Sequence, residues 1–358
     1  MAQEAKYQRI VDWVKGAIQS RELITGEKVP SENELSRRFG LSRQTIRHAL
    51  EILEQDGVIY RVQGSGTYVG DGRVHSRRPR HNNIAVISTY YDYYIFPPTL
   101  HGIETVMAKA GYTTRLSFTN DSVHHEKTIL NNLLERDDVD GIIVEPAKSA
   151  LPNPNLPLYQ KLRERGIPIL FFNADYPELE LPCVRLDDVK IAGKATELLI
   201  ANGHREIGAI LNAEDGQGHL RYRGYLQAMW EHHLPADANR ILFLNTEMIR
   251  NISVIEPYLM DGLSKITGVL CYNDDVAFQL KELLSRHGKR VPEDLSIVSI
   301  DDAKIASISG LTSFPHPKEE LGRVAAEQML KWIENPSFDA NVRFDSEAVV
   351  RDSIASLV

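Results

Sequence analysis

The stretch from Pro30 to Val69 constrains the fold most, because its pattern predicts two short helices followed by a hairpin. Ser31 and Glu34 have the spacing of a capping box, which satisfies free amides at a helix start, so a helix is expected from Ser31 to Phe39. A glycine turn follows it, and a second helix is expected over residues 42–55 with a serine as its cap. Two short helices separated by a tight turn indicate a helix-turn-helix.

The second of these helices has one apolar and one polar face. Ile46, Leu50 and Leu53 recur at i, i+4 and i+7 and form an apolar stripe. The outward-facing residues of the first turns are Arg43, Gln44 and Arg47, with Ser42 and Thr45 beside them. In a DNA major groove an arginine pairs with guanine and a glutamine with adenine, while hydroxyl groups bind phosphate oxygens. The pattern therefore favours a DNA-reading helix, although a winged helix that binds protein remains an alternative.

Two β-rich runs follow, Val58–Val62 and Thr67–Val69, and the tip between them is Gln-Gly-Ser-Gly (63–66). This arrangement predicts a wing. An upstream helix is expected to pack on the other two and close a small core through apolar residues at helical spacing, namely Ile10, Val11, Val14, Ala17 and Ile18.

Three phrases of this region together resemble the winged-helix domain of GntR-family repressors. They are Pro-Ser-Glu-Asn-Glu-Leu (30–35), Ser-Arg-Gln-Thr-Ile-Arg (42–47) and Gly-Ser-Gly-Thr-Tyr-Val (64–69). The resemblance implies operator DNA as a partner. The residues expected to contact it are Lys6, Glu32, Ser42, Arg43, Gln44, Thr45, Arg47, Gln63, Gly64 and Gly66.

The distribution of charge also separates the N-terminal region from the rest of the 358-residue chain. Residues 1–80 contain 14 basic and 10 acidic side chains, a net of +4, whereas the remainder carries −12. Phosphate attraction needs only a local positive surface, so a basic head on an acidic body favours docking by the head. We expect a winged-helix domain over 1–70, an exposed linker over 71–82 and an effector and dimerisation domain over 83–358.

Composition excludes several other classes of protein. No segment is apolar enough to span a membrane, and the N-terminal stretch lacks the apolar core of a secretion signal, so a cytoplasmic location is expected. The two cysteines, Cys183 and Cys271, are far apart and have no Cys or His neighbours at ligand spacing. This predicts a reducing compartment, no structural zinc and no cofactor.

From residue 83 onward, short apolar runs alternate with amphipathic helices, which predicts an α/β fold with parallel sheets. This alternation of strands and helices begins again near residue 189, so two lobes are expected. Their expected boundaries are 83–172 with 312–340 for the first lobe and 173–311 with 341–358 for the second. Parallel sheets place ligand sites at the carboxyl ends of their strands, so a small molecule is expected in the cleft between the lobes.

Polar and aromatic side chains follow the predicted strands of both lobes. They include Tyr90, Tyr94, Phe96, Glu145, Asn173, Asn273 and Asp301. A sugar presents hydroxyls that donate and accept and ring C–H faces that pack on aromatic groups, so this set predicts a sugar site. Not all of the clustered tyrosines at 90, 91, 93 and 94 can face one cavity, because neighbouring side chains point in different directions.

The body resembles the effector domain of the LacI/GalR family, itself built like periplasmic sugar-binding proteins. The matching phrases are Asn-Gly-His-Arg-Glu-Ile (202–207), Tyr-Asn-Asp-Asp-Val-Ala (272–277), Val-Pro-Glu-Asp-Leu-Ser-Ile-Val (291–298) and the run 311–317. By this resemblance Arg221, Asn273 and Asp301 occupy ligand-contact positions. His316 occupies a position that is polar in many members.

A GntR-type head on a LacI-type body resembles the arabinose-responsive repressors of Gram-positive bacteria. The segments 92–97, 144–150 and 215–218 are especially similar. The resemblance implies L-arabinose as effector and a homodimer that binds a pseudo-palindromic operator and leaves it when sugar binds. The residues by themselves also allow another sugar or a nucleoside.

Parts of the sequence are also compatible with two other classes of protein. The adjacent carboxylates Asp187-Asp188, Asp274-Asp275 and Asp301-Asp302 raise the possibility of a metal site or a glycosidase. Adjacent side chains point in opposite directions, so each pair is expected to supply one inward carboxylate and one cap or surface charge. A transport-associated sugar-binding protein would fit the body, but the winged head argues against it.

Overall fold

The computed structural model describes residues 7–62, 65–70 and 80–358. It divides into two compact units, one formed by the chain up to His81 with Lys161–Ile167 and the other by Asn82–Gln160 and Pro168–Val358. Among the predicted DNA contacts, Lys6, Gln63 and Gly64 lie outside the described residues, as do residues 71–79 of the predicted linker.

The first unit contains three helices, α1 (Gln8–Gln19), α2 (Glu32–Phe39) and α3 (Arg43–Gln55). The predicted capping box is confirmed, because the backbone N–H of Ser31 donates to Glu34 Oε2 at 2.8 Å and the Ser31 hydroxyl accepts from the amide of Glu34. Gly40 ends α2 with a left-handed φ of 64°. Ser42 caps α3 as predicted.

A small apolar core holds the head together. The predicted stripe of α3 is fully buried against the apolar face of α1, where Ile10 and Val14 have no exposed surface. Strands β1 (Ile59–Val62) and β2 (Gly66–Val69) form the predicted antiparallel hairpin. The three-helix and wing arrangement expected from the sequence is therefore present.

The second unit contains two parallel sheets. The first has the strand order β13-β7-β6-β5-β3-β4. Its strands are β3 (Asn83–Ser88), β4 (Thr113–Phe118), β5 (Gly141–Val144), β6 (Ile169–Phe172), β7 (Cys183–Leu186) and β13 (Val342–Phe344). The second sheet has the order β12-β11-β10-β8-β9. Its strands are β8 (Ile207–Asn212), β9 (Ile241–Leu244), β10 (Gly268–Cys271), β11 (Ser296–Asp301) and β12 (Thr312–Pro315).

Helices cover both sheets, so the central strands are buried on both faces and are continuously apolar, as parallel strands require. The helices of this unit are α4 (Phe96–Lys109), α5 (Val123–Arg136), α7 (Asp188–Ala201), α8 (Gly216–Glu231), α9 (Thr246–Arg250), α10 (Glu256–Gly262), α11 (Asp274–Arg286), α12 (Lys304–Ser309) and α13 (Lys318–Glu334). Helix α6 (Leu156–Glu164) begins in this unit, and its residues 161–164 belong to the first unit.

Glycines allow two helix pairs to approach very closely. A Cβ on Gly322 of α13 would lie 2.0 Å from the carbonyl oxygen of Thr99 in α4. A Cβ on Gly224 of α8 would lie 2.1 Å from the carbonyl oxygen of Val189 in α7. Any larger residue at either position would force the helices apart, so these contacts fix the layer on each sheet.

The predicted lobe boundaries were wrong at three strands. Cys183–Leu186, assigned to the second lobe, pairs with β6 in the first sheet, and Val342–Phe344, also assigned to the second lobe, pairs with β7. Thr312–Pro315, assigned to the first lobe, pairs with β11 in the second sheet. These strands are three or four residues long and β7 and β13 contain an arginine, so each lacks a clear apolar pattern. The chain passes between lobes near residues 187, 316 and 346.

Within the described residues, no helix is long and apolar enough to cross a membrane.

Candidate functional site

A cleft lies between the two lobes of the second unit, at the carboxyl ends of their strands. Its volume is about 840 Å³, including space open to solvent. The first lobe contributes the loops after β3, β4, β5 and β6, and the second lobe those after β8, β9, β10 and β11. This is where doubly wound sheets hold their ligands.

Glu145 is the buried carboxylate of the first lobe. Its Oε2 accepts hydrogen bonds from the Thr89 amide at 3.1 Å and the Thr89 hydroxyl at 2.5 Å, and its Oε1 accepts from Asn173 Nδ2 at 2.8 Å. Burial raises the pKa of Glu145 to about 7, although the Asn173 and Thr89 hydrogen bonds lower it. The carboxyl group is therefore poised to exchange a proton near neutral pH.

Asn173 and His316 form a second layer behind Glu145. His316 Nε2 lies 3.1 Å from Asn173 Oδ1, and both side chains are buried without lining the cleft. Burial lowers the pKa of His316 to about 3, so its imidazole is neutral at physiological pH. The pair orients Glu145 from behind, since Asn173 donates to the carboxylate while its oxygen accepts from His316.

Arg221 is the buried cation of the second lobe. Its Nε donates to Asp188 Oδ1 at 2.8 Å, and its Nη2 lies 3.8 Å from Asp301 Oδ1. The guanidinium also stacks over the ring of Tyr272 at 4.7 Å. Burial raises the pKa of Asp301 to about 7, although the Arg221 charge lowers it. Asp301 Oδ1 is buried and has no hydrogen-bond partner among the described residues.

Aromatic rings line the first-lobe side of the cleft. Tyr90 packs edge-on against Phe96, with ring centroids 5.5 Å apart, and Tyr94 stacks on Tyr93 at 5.6 Å. Tyr91 instead is 57% exposed and packs on Phe118 outside the cleft. The prediction that the four tyrosines cannot share one cavity is confirmed.

Direct bonds join the lobes across the cleft. Lys148 Nζ of the first lobe lies 2.6 Å from Glu214 Oε2 of the second, and 3.6 Å from Asp121 of its own lobe. The Tyr93 hydroxyl donates to Asp275 Oδ2 at 2.6 Å on the other side of the cleft. The lobes therefore stand in a closed arrangement.

Several residues of the cleft and its second layer have a left-handed backbone. The φ angles are 60° at Tyr94, 47° at Lys148, 62° at Asn173 and 109° at Asp301. Such conformations are unfavourable for residues with a Cβ and concentrate at binding sites, where the surrounding structure holds them. The left-handed backbone of these residues therefore costs conformational energy, which the rest of the fold must offset.

The head presents a second candidate site at the start of α3. Arg43 and Gln44 are exposed in its first turn, and Arg47 one turn later is exposed and pairs with Glu32 of α2 at 3.3 Å. The Ser42 hydroxyl lies 2.9 Å from that of Thr45. In the wing, Gly66 has a φ of 142°, and a Cβ there would lie 2.4 Å from Cε of Lys28. These groups form an exposed polar and basic surface.

Comparison with known proteins identifies a family for the head and for part of the body. Residues 6–69 match the model of the family described as bacterial regulatory proteins, gntR family, and residues 196–354 match the periplasmic binding protein-like domain. The chain is 36% identical over 353 residues to the arabinose metabolism transcriptional repressor of Geobacillus stearothermophilus, covering 97% of this chain and 95% of that protein. This chain belongs to the arabinose metabolism transcriptional repressors.

Two further comparisons support the family and the fold of the repressor. The arabinose metabolism transcriptional repressor of Halalkalibacterium halodurans is 34% identical over 366 residues, which cover 98% of this chain and 97% of that protein. The crystal structure of the transcription regulator CcpA of Lactococcus lactis superimposes with a TM-score of 0.68 at 23% identity and covers 77% of this chain and all of that one. The latter likeness concerns the fold.

The structure brings most of the repressor's predicted ligand residues into one cleft. Those that line it are Tyr90, Tyr94, Phe96, Glu145, Arg221, Asn273 and Asp301. Asn173 and His316 lie behind them, because their polar atoms are directed to Glu145 and to each other. The neighbouring Arg223 is exposed and does not line the cleft.

Sequence reasoning missed several residues of the repressor's cleft. They include Asp121, Lys148, Asp215, Gln217, Arg250 and Tyr272. For some of them the sequence does contain a signal, because they lie in residues 144–150 and 215–218, two of the segments that are especially similar to the family. Arg250 offered no signal, because it ends the five-residue helix α9 and reaches the cleft only by stacking over Tyr90 at 4.4 Å.

Two of the three carboxylate pairs divide as predicted, whereas in the third Asp274 is buried and Asp275 accepts a hydrogen bond from the Tyr93 hydroxyl. Asp187 caps α7 whereas Asp188 is buried against Arg221, and Asp301 lines the cleft whereas Asp302 pairs with Arg351 at 2.8 Å. Within the part of the chain that the structure describes, no group of three or more His, Cys, Asp or Glu side chains is arranged to hold a metal ion.

Proposed function

We propose that this repressor binds operator DNA through its winged head and releases it when L-arabinose occupies the cleft. The observation that carries the proposal is a cleft in which ionic, amide and aromatic side chains from two lobes converge. The same chain also has an exposed basic helix of the recognition type. The names of the full-length relatives supply arabinose as the sugar.

The chemistry of the cleft suits a neutral polyhydroxylated ligand. Glu145 and Asp301 accept hydrogen bonds from hydroxyls, Arg221 and Asn273 donate to them, and the rings of Tyr90, Tyr94 and Phe96 provide apolar contact for ring C–H groups. Two cations of the cleft, Arg221 and Lys148, already have carboxylate partners, so neither calls for an anionic ligand. The third, Arg250, stacks over the ring of Tyr90.

The head's chemistry suits the DNA major groove. Arg43 and Gln44 project from the first turn of α3, which is the part of a recognition helix that reaches base edges. We infer that Ser42 and Thr45 bind phosphate. We also infer that the ion pair between Arg47 and Glu32 breaks or rearranges when these side chains contact a base. The wing residue Gly66 is proposed to approach the backbone of the duplex.

A homodimer is the proposed active form, because two heads would read the two halves of a pseudo-palindromic operator. Sugar can lower operator occupancy only through a difference in its affinity for the free and DNA-bound states. Closure of the lobes is the proposed source of that difference. A role on the chromosome implies a cytoplasmic location.

The first test is thermal unfolding of the purified protein with L-arabinose, other pentoses, hexoses and nucleosides. A ligand that binds only the native state raises the unfolding temperature, and the rise grows with the ratio of its free concentration to its Kd. We expect a selective shift with L-arabinose. A shift with another compound alone would overturn the effector assignment while leaving the regulatory role intact.

The second test concerns DNA. Duplexes selected from a random pool by the protein should share a palindromic motif, and L-arabinose should weaken binding to them. Absence of any selected motif at low salt would contradict the repressor function.

A further inference from the structure

Lys318 lies at one of the crossings between the two lobes of the second unit. Strand β12 of the second sheet ends at Pro315, and α13, which packs on the first sheet, begins at Lys318. The Lys318 side chain is partly buried and does not line the cleft. A cation in the first turn of a helix is unfavourable, because the helix dipole places positive charge there. Residues that break such a local rule are expected at functional or strained sites.

The Lys318 ammonium binds the turn that follows β11 of the second lobe. Its Nζ donates to the carbonyl oxygens of Asp301, of Asp302 at 3.1 Å and of His316 at 3.4 Å. These bonds use the three N–H donors of the ammonium. A side chain on a helix of the first lobe therefore holds the backbone of the second lobe at Asp301, whose carboxylate lines the cleft.

This turn has a strained backbone. Asp301 and Asp302 are consecutive residues with left-handed φ angles of 109° and 43°. Such conformations are unfavourable for residues with a Cβ and persist only where the surrounding structure over-determines them. Within the second lobe, the amide of Asp302 donates to Ser313 Oγ at 3.0 Å. Lys318 restrains the carbonyl oxygens of the same two residues from the other lobe.

The backbone that carries Lys318 moves with the first lobe. One turn further along α13, a Cβ on Gly322 would lie 2.0 Å from the carbonyl oxygen of Thr99, so α13 is packed closely on α4. A change in the angle between the lobes would therefore alter the distances from Lys318 Nζ to the carbonyl oxygens of the turn. An N–H···O hydrogen bond needs a distance of about 2.7–3.2 Å between donor and acceptor. Opening of the lobes would thus release a restraint on Asp301.

We propose that Lys318 is a positioning residue that couples the arrangement of the lobes to the place of the Asp301 carboxylate in the cleft. The proposal rests on the proposed function, since it names a residue through which lobe closure completes the sugar site. With the ammonium in place, the strained turn presents the carboxylate to the sugar. Without the ammonium, the turn relaxes and the closed arrangement loses part of its advantage in sugar binding.

The first test measures the order of the turn without sugar. Hydrogen exchange of the full-length protein, followed in peptides that cover residues 300–306, should be about tenfold faster in Lys318→Met, which keeps the side-chain length and loses the ammonium. The matched control is Lys331→Met, which makes the same change at an exposed position of α13 and should exchange as wild type does. Lys318→Arg keeps a cation with several N–H donors and should restore slow exchange. Unchanged exchange in Lys318→Met would overturn the proposal.

The second test asks whether Lys318 acts on the sugar through Asp301. Calorimetric titration with L-arabinose should show about tenfold weaker affinity in Lys318→Met, most of which Lys318→Arg should recover, and wild-type affinity in Lys331→Met. In a chain that already carries Asp301→Asn, the further loss from Lys318→Met should be small, because the effects of coupled residues do not add. Additive losses in the double variant, or wild-type affinity of Lys318→Met, would contradict the proposed coupling. A wild-type protein that binds none of the sugars would refute the proposed effector, and the exchange measurement would still decide the role of Lys318.

Discussion

Arg221 and Asp188 form a buried ion pair, in which Nε lies 2.8 Å from Oδ1 and the two side chains are 2% and 0% exposed. Asp188 begins α7 and does not line the cleft, whereas Arg221 lies on α8 and does. The carboxylate therefore fixes the position of the guanidinium at the cleft. Because a buried charge is costly without its partner, the pair links the stability of the second lobe to the geometry of the site.

Asp188→Ala is expected to destabilise the protein by about 3–5 kcal/mol, since it leaves the buried guanidinium without its closest counter-charge. Urea unfolding of the second unit in the full-length chain would measure the loss. Asp187→Ala is the control, because Asp187 only caps α7, and it should cost about 1 kcal/mol. Equal effects of the two substitutions would contradict the importance of the buried pair.

Removing both charges should behave differently from removing one. The double variant Asp188→Leu with Arg221→Met replaces the pair by apolar groups, so it should recover most of the stability lost in Asp188→Ala. It should still lose sugar affinity, because Arg221 lines the cleft. A double variant that binds L-arabinose normally would show that Arg221 is only structural.

The raised pKa of Glu145 predicts a pH dependence of stability. Its pKa is about 7 in the folded protein against 4.5 as reference, so its contribution is most favourable below pH 4.5 and is lost as pH rises through 7. Glu145→Gln cannot titrate. Its free energy of unfolding should therefore gain on that of wild type by up to about 3 kcal/mol between pH 5 and pH 8. A constant difference across this range would contradict the raised pKa.

Glu214→Gln is a control, because the pKa of Glu214 is shifted in the opposite direction and stability should depend on pH in the opposite sense. Burial raises the pKa of Glu214, but the hydrogen bonds from Lys148 and Thr246 prevail and lower it below 4.5. The carboxylate therefore contributes stability above its unfolded pKa and loses this contribution as pH falls through the folded value. Glu214→Gln should be less stable than wild type at pH 7, and the difference should shrink towards pH 3.

The elements with strong local signals were predictable from the sequence. The capping box of α2, the Ser42 cap of α3 and the apolar strands β3, β5 and β6 were found because caps and continuous apolar runs are local features. Strands β7 and β13 were not found, since they are short, contain Arg185 and Arg343, and are defined by pairing with each other across 158 residues of chain. Such strands form because they pair with distant segments of the chain, and the local sequence contains no pattern that predicts this pairing.

The residues of the cleft were likewise predictable only where they depend on local sequence features. Glu145 and Asp301 directly end apolar strands, so their place at the cleft followed from the parallel fold. Gln217 and Arg250 lie one turn or more beyond a strand end, and their direction depends on how α8 and α9 pack. His316 was placed near the site, but its role behind Asn173 depends on a contact between residues far apart in sequence.

Arg43→Ala is expected to weaken operator binding about 10- to 100-fold, because it removes an exposed guanidinium from the first turn of the recognition helix. Sugar affinity should be unchanged. Lys15→Ala is the control, since it removes the same charge from α1, where Lys15 pairs with Asp56 at 2.7 Å. Fluorescence anisotropy with selected DNA would measure both, and equal losses would indicate that only net charge matters.

Lys148→Met should favour the open form of the lobes, because it removes the cation that bridges Asp121 of the first lobe and Glu214 of the second. The bridging pair is partly buried, so a loss of about 1 kcal/mol and a sugar affinity weaker by up to about tenfold are expected. Small-angle scattering should show a larger radius of gyration at subsaturating sugar. Lys127→Met, at an exposed position of α5, is the control and should match wild type. If Lys148→Met binds sugar and scatters as wild type does, closure depends on the other contacts across the cleft, with Tyr93 and Asp275 as the next pair to separate.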